Sequence, residues 1–251
     1  MNEMNENFDA FDDYALKFDL DDDAIKRKYE HSYRVVHQAD EIAYTLKLDE
    51  DDSYLVCLIA LLHDIGRFMQ WKNYKTYSDN KSINHATLGI KILFEEKLIN
   101  NFKLDKKDYD LVKVAIENHN KYELNEKELS EKELLHSRIL RDADKIDILY
   151  QFSNSKIISL EEENNNDISD KVKETFYKHK SIDRKDITNK NERIILKIAL
   201  VYDLCYDYSK KEILEHEYLD RMLESLNNKK LFKPYIDEAK KYLKGSENNA
   251  W

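Results

Sequence analysis

Apolar residues recur along much of this chain at three- and four-residue intervals, the spacing of helices with one buried stripe. The pattern is densest at residues 54–62, YLVCLIALL, a run of apolar or weakly polar positions that predicts a helix buried on every side. That helix runs straight into His63, Asp64 and, two residues on, Gly66. An ionised carboxylate at the end of a core helix is costly to desolvate unless it is paired, hydrogen-bonded or bound to a metal, so Asp64 demands a partner.

The flanking elements follow from the same periodicity. Asp21 to Asp23 offer cap and first-turn carboxylates for a helix reaching about Leu46, and its stripe of Val35, Ala39, Ile42 and Leu46 extends back to His31. Asp49 to Ser53 cap the next helix, and Gly66 is expected to end it. Residues 67–84 are polar and aromatic without a clear period and read as a loop of the kind that walls a site. From His85 the stretch HATLGIKILFEEKLI is expected to be helical, with Leu88, Gly89 and Ile92 on the histidine's face and Gly89 leaving room for a close approach. Tyr109 to His119 forms another amphipathic helix whose stripe of Val112, Ala115 and Ile116 ends on His119. A longer helix covers LLHSRILRDADKIDILYQF, where Leu140, Asp144 and Ile148 repeat at four-residue intervals and place Asp144 on a buried line. Glu161 to Asn166 form a polar patch suited to an exposed turn, and the helices beyond it are read as packing that completes the core and lids the site.

Composition narrows the class. Among 251 residues there are only three glycines and one proline, too few for many strands joined by tight turns, so the fold class is all-α. The expected organisation is an acidic segment at 1–20 with scattered aromatics, forming a short docking helix or partly loose, a helical core at 21–155, and C-terminal helices at 156–251 on the same domain. A net charge of −10 argues against long nucleic acid as a partner. No apolar run approaches the ~20 residues of a membrane helix, and the acidic start is unlike a targeting peptide, so the expected location is cytoplasmic. Cys57 and Cys205 read as two buried free thiols.

His31, His63, Asp64, His85, His119 and Asp144 thus each end or interrupt an apolar stripe on a different helix or helix end. Taken singly, a histidine on an apolar face is usually a satisfied core residue, but six such interruptions together favour metal ligation. Hydrolytic metals accept imidazole and carboxylate, and a carboxylate has two oxygens with which to bridge two ions, a role natural to Asp64. His37 shares a face with charged residues and reads as solvated, while His136, His179 and His216 have no evident partners.

The motifs HSYRVVHQADEIA, LIALLHDIGRF, INHATLG, AIENHNKY and ILRDADKIDI, in that order, resemble those of the HD-domain superfamily of metal-dependent phosphohydrolases. The resemblance covers about Lys26 to Ile148 and implies an HD-like helical bundle. It makes His31, His63, Asp64 and Asp144 ligands of one divalent ion, with Asp64 bridging to a second held by His85 and His119. Asp142 and Asp147 compete with Asp144 for the last position. Two ions, drawn from Mn, Fe, Co, Ni or Zn, would generate a bridging hydroxide that attacks a phosphomonoester or phosphodiester of a small metabolite, plausibly a nucleotide. Arg67 and Arg34 are the leading phosphate contacts, with Lys121 and Lys145 behind them. Trp71, Tyr74 and Tyr77 could stack on a base, although packing is the commoner role of such rings. The same cage in some members holds two irons for oxygenation, and a non-catalytic nucleotide sensor is a further alternative.

Overall fold

Short polar side chains open several of the helices by accepting their first free amides. In the computed structural model, which describes residues 2–154 and 168–247, all regular structure is helical and no strand occurs among those residues. The chain divides into two units, Met1–Ala143 and Asp144–Trp251. The first contains α1 (Asn2–Ala15), α2 (Asp23–Leu46), α3 (Glu50–Leu62), α4 (Gly66–Tyr74), α5 (His85–Ile90), α6 (Tyr109–His119) and the start of α7 (Glu131–Asn154), within which the boundary falls. Asp22 caps α2 through Ala24 N at 2.9 Å, and Asp49 caps α3 through Asp52 N at 2.8 Å. Ser130 and Glu133 form a reciprocal capping box at α7, with Ser130 N donating to the Glu133 carboxylate at 2.8 Å.

The N-terminal segment is ordered as α1. Its Phe11 is fully buried, stacking on Tyr29 and meeting Phe68 edge-on at 5.9 Å, while one Asp12 oxygen accepts from the hydroxyls of Tyr29 at 2.9 Å and Tyr33 at 2.6 Å. Asn7, also buried, donates to the Tyr54 hydroxyl on α3 at 2.7 Å and accepts from Lys103 N at 2.7 Å. The aromatics that are scattered in the sequence therefore pin α1 to α2 and α4, and Asn7 ties it to α3.

Three expectations change around Gly66. It opens α4 rather than closing α3, which ends at Leu62, and it has no left-handed backbone. The first half of the expected loop, Arg67 to Tyr74, is helical. What Gly66 contributes is a missing side chain: a Cβ there would lie 2.3 Å from the His85 carbonyl oxygen and 2.7 Å from Gly89 N. The close approach anticipated at Gly89 is thus the Gly66 backbone, and it brings α4 against α5 at the point where His85 begins. The helix expected from His85 to about Ile99 is also shorter, passing into a π-turn at Lys91–Glu95 and then a 3-10 turn at Leu98–Asn101.

The second unit contains the remainder of α7 and α8 (Asp170–Tyr177), α9 (Lys190–Ile198), α10 (Asp207–Glu215), α11 (Tyr218–Ser225) and α12 (Lys229–Glu247). Phe176 sits at its centre, packed edge-on against Tyr202 and Tyr235 at 5.0 Å each. The buried Glu192 accepts from Thr188 N, the Thr188 hydroxyl and Ser169 N at 2.7–2.8 Å, tying the residues before α8 to the start of α9. The cysteines are free, but Cys57 is only half-buried and Cys205 is exposed, because Cys205 lies in the extended link after the 3-10 turn Ala199–Asp203 rather than on a helix. The expected turn at Glu161–Asn166 lies outside the described residues.

Gly66→Ala is expected to destabilise the protein by about 1–3 kcal/mol, because its neighbours are backbone and cannot swing aside. Gly89→Ala, whose nearest contacts would be at 3.4 Å, should cost less. Calorimetric melting of both variants checks the order, and a parent-like Gly66→Ala would contradict the close approach. Although burial works to raise it, the Glu192 carboxyl is held at about 2 by hydrogen bonds from Ser169 and Thr188. Its folded pKa lies below its unfolded value near 4.5, so its stabilisation is present above that value and is lost as pH falls towards 2. Glu192→Gln should therefore be less stable than the parent at pH 7, by about 1.5–3 kcal/mol, and the gap should narrow in unfolding curves taken below pH 4.5.

Candidate metal centre

Four histidines and one aspartate from four places in the first unit meet in its interior. His31 lies on α2, His63 and Asp64 in the turn between α3 and α4, His85 at the first position of α5 and His119 at the last position of α6. None is more than 5 % exposed. The donor atoms of His31, His63 and Asp64 lie within 4.8 Å of one another, as do those of Asp64, His85 and His119. Asp64 divides its oxygens between the groups. Oδ2 is 3.4 Å from His31 Nε2 and 3.6 Å from His63 Nε2, while Oδ1 is 3.3 Å from His85 Nε2 and 3.8 Å from His119 Nε2.

The far side of three rings sets the tautomer. His63 Nδ1 donates to the Ala60 carbonyl at 2.7 Å, His119 Nδ1 to the Ile116 carbonyl at 2.5 Å, and His85 Nδ1 to the Asp79 carboxylate at 2.8 Å. Each acceptor takes the ring's one N–H, which leaves the Nε2 lone pair facing the centre. The Nε2 atoms converge in pairs: those of His31 and His63 are 3.3 Å apart, and those of His85 and His119 are 2.9 Å apart. Asp64 Oδ1 is buried without a hydrogen-bond partner among the described residues. Such crowding of acceptors is compatible with binding of a divalent metal.

Three further residues complete the electrostatics. Burial would raise the Asp64 carboxyl, but the Lys28 ammonium at 2.7 Å, then His63 and Arg67, hold it well below the usual carboxylate range. Lys28, absent from the residues singled out in the sequence, stands three residues before His31 and so shares its helix face, a spacing that the sequence does carry. Burial and the Arg67 charge push His85 down, outweighing Asp79 and Asp64, which keeps its ring neutral and able to ligate. Asp79 sits in the stretch expected to wall the site, and its carboxyl stays low despite burial because His85 and Arg67 face it. Carboxylate-oriented histidine is a recurring support for metal ligands.

The expected phosphate contacts are placed differently from one another. Arg67 is buried, its Nη1 donating to Gln70 Oε1, the Tyr77 carbonyl and Asp79 at 2.7–3.0 Å, with Nε 3.4 Å from Asp64. Arg34 is half-exposed and lies 3.8 Å from Glu30, one helical turn away. Lys121 is exposed, and Lys145 is buried in the second unit with its ammonium 2.6 Å from Asp203. Asp144 is half-buried rather than on a buried line, while Asp142 and Asp147 are buried. The difference arises because the apolar face of α7 runs through Ile139, Leu140, Ala143, Ile146 and Leu149, one position off the Leu140–Asp144–Ile148 line. Trp71 donates to Asp22 at 2.8 Å and packs on Tyr77, so both rings belong to the fold of the wall, while Tyr74 is exposed. His37 is exposed, as expected. Of the other set-aside histidines, His136 is buried 3.3 Å from Asp52, His179 lies 2.9 Å from Glu238, and His216 lies 3.3 Å from Glu212.

Helices that bury imidazoles around a shared carboxylate define an all-α protein with a site able to hold metal. The family model for the HD domain matches residues 29–149, so this stretch is an HD domain, consistent with the superfamily of metal-dependent phosphohydrolases. Comparison with curated proteins and with solved structures returned no match. No helix among the described residues is long and apolar enough to cross a membrane.

Asp79→Ala removes the acceptor that aims His85 and is expected to weaken metal binding about 10–100-fold at the His85 group. Competition titration with a chromophoric chelator would read this as loss of one class of site, whereas unchanged affinity would remove Asp79 from the ligand-orienting role.

Proposed function

We propose that the HD domain hydrolyses a phosphomonoester or phosphodiester of a small soluble metabolite, plausibly a nucleotide, at this centre. The observation that carries the reading is the division of Asp64, one oxygen towards His31 and His63 and the other towards His85 and His119, the arrangement a bridging carboxylate requires. A pair of divalent cations there would supply Lewis acidity and make water nucleophilic near neutral pH. His31 and His63 would hold one cation and His85 and His119 the other, with Asp64 common to both. Asp144 as a further ligand rests on motif order alone.

The chain's own groups account for the remaining tasks. Nδ1 hydrogen bonds hold His63, His85 and His119 with Nε2 free, so ligation needs no change of tautomer. Arg67 is tethered through Nη1 and stands beside Asp64 through Nε, a geometry suited to steadying the shared carboxylate, while Nη2, which donates to none of the described residues, is the nitrogen we assign to a phosphate oxygen. Arg34 and Lys121 are proposed as outer contacts for the substrate. The paired Lys145 is a weaker one. No side-chain nucleophile is invoked, and the cytoplasm is the proposed setting.

Protein loaded separately with each candidate metal and assayed against nucleotides, dinucleotides and aryl phosphate esters should release product in a chelator-sensitive way. His63→Ala and Asp64→Ala should lower the rate about a hundredfold or more. Fully loaded protein that turns over none of these esters would overturn the assignment.

A further inference from the structure

Three cationic side chains gather around one aromatic ring at the edge of the centre. The Arg27 and Arg67 guanidinium carbons and the Lys28 ammonium lie 5.8, 5.7 and 5.8 Å from the centre of the Tyr77 ring. The ring is itself fixed, donating its hydroxyl to the Ala24 carbonyl at 2.8 Å and packing on Trp71 at 5.0 Å. Cation–π attraction to a partly exposed cation is weak, too weak to explain by itself why three like charges stand together. Two are explained by anions: Lys28 pairs with Asp64 at 2.7 Å, and Arg67 with Asp79 at 3.0 Å. Arg27, half-exposed, makes no ion pair among the described residues. The other carboxylate near the ring, Asp22, is occupied by Trp71, the Ala24 amide and Lys75.

Metal ligation would draw away the anion that Lys28 pairs with among the described residues, because the Asp64 oxygen it touches is the oxygen facing His31 and His63. Lys28 and Arg27 would then both stand uncompensated, side by side, on a chain whose net charge is −10. Local positive charge against that background draws anions to one place.

We propose that Arg27 and Lys28, steadied by Tyr77, form a subsite for a second phosphate of the substrate, beyond the one hydrolysed. The substrate class is then a molecule carrying at least two phosphate groups, a nucleoside diphosphate or triphosphate or a bisphosphorylated metabolite, rather than a simple monoester. This deepens the phosphohydrolase reading and rests on it. A guanidinium lying against a ring keeps its N–H edge free for a bidentate contact, and the lysine, once released, supplies a point charge beside it.

The test compares inorganic pyrophosphate with orthophosphate, titrated calorimetrically into metal-loaded full-length protein at fixed free metal, with metal content checked afterwards. The parent should bind pyrophosphate roughly tenfold or more tightly than orthophosphate. Arg27→Ala and Lys28→Ala should each collapse that ratio towards one, and Arg27→Lys should restore part of it, which a merely structural residue would not do. A parent without preference, or a ratio that survives both alanine substitutions, overturns the subsite. If the ratio falls in the variants while no phosphoester is ever cleaved, the subsite stands and hydrolysis is the claim that fails. If monoesters are cleaved and the ratio is insensitive to substitution, the subsite alone fails.

Discussion

Asp64 is 2 % exposed at the end of a helix buried over most of its length, and removing an ionised carboxylate from water costs several kcal/mol unless its surroundings replace the lost hydration. Four imidazoles, an ammonium and a guanidinium gather within 4 Å of its two oxygens. The first unit can be understood as the scaffold that brings them there. α2 delivers Lys28 and His31 on one face, α3 ends where its apolar run meets His63 and Asp64, and α5 and α6 each present a histidine at a terminus. Because Nε2 of His63, His85 and His119 faces the carboxylate as an acceptor, positive charge between them favours the arrangement. Lys28 supplies part of that charge, and a divalent cation would supply more.

Backbone proximity makes the arrangement possible. Gly66 and Gly89 let α4 and α5 approach until the His85 carbonyl occupies the space of a side chain, which places His85 beside Asp64 while Asp79, from the short turn between these helices, reaches its other nitrogen. The same turn contributes Tyr77, and α4 contributes Arg67, so one stretch of fewer than twenty residues joins ligand orientation to the cationic edge of the site. α1 braces this stretch from the opposite side, with Phe11 against Phe68 and Asp12 holding the hydroxyls of Tyr29 and Tyr33 on α2.

Much of this was legible before any coordinates. Both ends of α2 and α6 and the start of α3 follow from cap residues and apolar spacing, and the histidines of the two clusters can be picked out because each interrupts a stripe. Elsewhere the local pattern misleads, each time for a specific physical reason. Gly66 reads as a helix end because glycine often ends helices, yet its missing Cβ serves a contact with His85 and Gly89. Arg67 to Tyr74 lacks a clear apolar period because α4 buries Gly66, Arg67, Phe68 and Gln70, a mixed set whose polar members are satisfied by the site itself. Four-residue spacing sets Asp144 in line with Leu140 and Ile148, whereas the core face of α7 runs through Ala143, Ile146 and Leu149. The aromatics near the N-terminus had the right composition to dock, but what they dock on is set by α2 and α4.

Local order in this chain is encoded in short-range pattern: which segments are helical, where most begin, and which chemically capable residues point inward, since a helix repeats every 3.6 residues and neighbours in sequence determine its faces. Pairings between segments carry no such period. That Lys28 neutralises Asp64, that Asp79 rather than a nearer residue aims His85, that Gly66 meets Gly89, and that Arg27 and Lys28 share a ring with Arg67 all depend on how helices cross, and crossing is set by the packing of side chains from several elements at once. The YLVCLIALLHDIGRF stretch thus announced a carboxylate in need of partners, and the tertiary structure chose which ones it received.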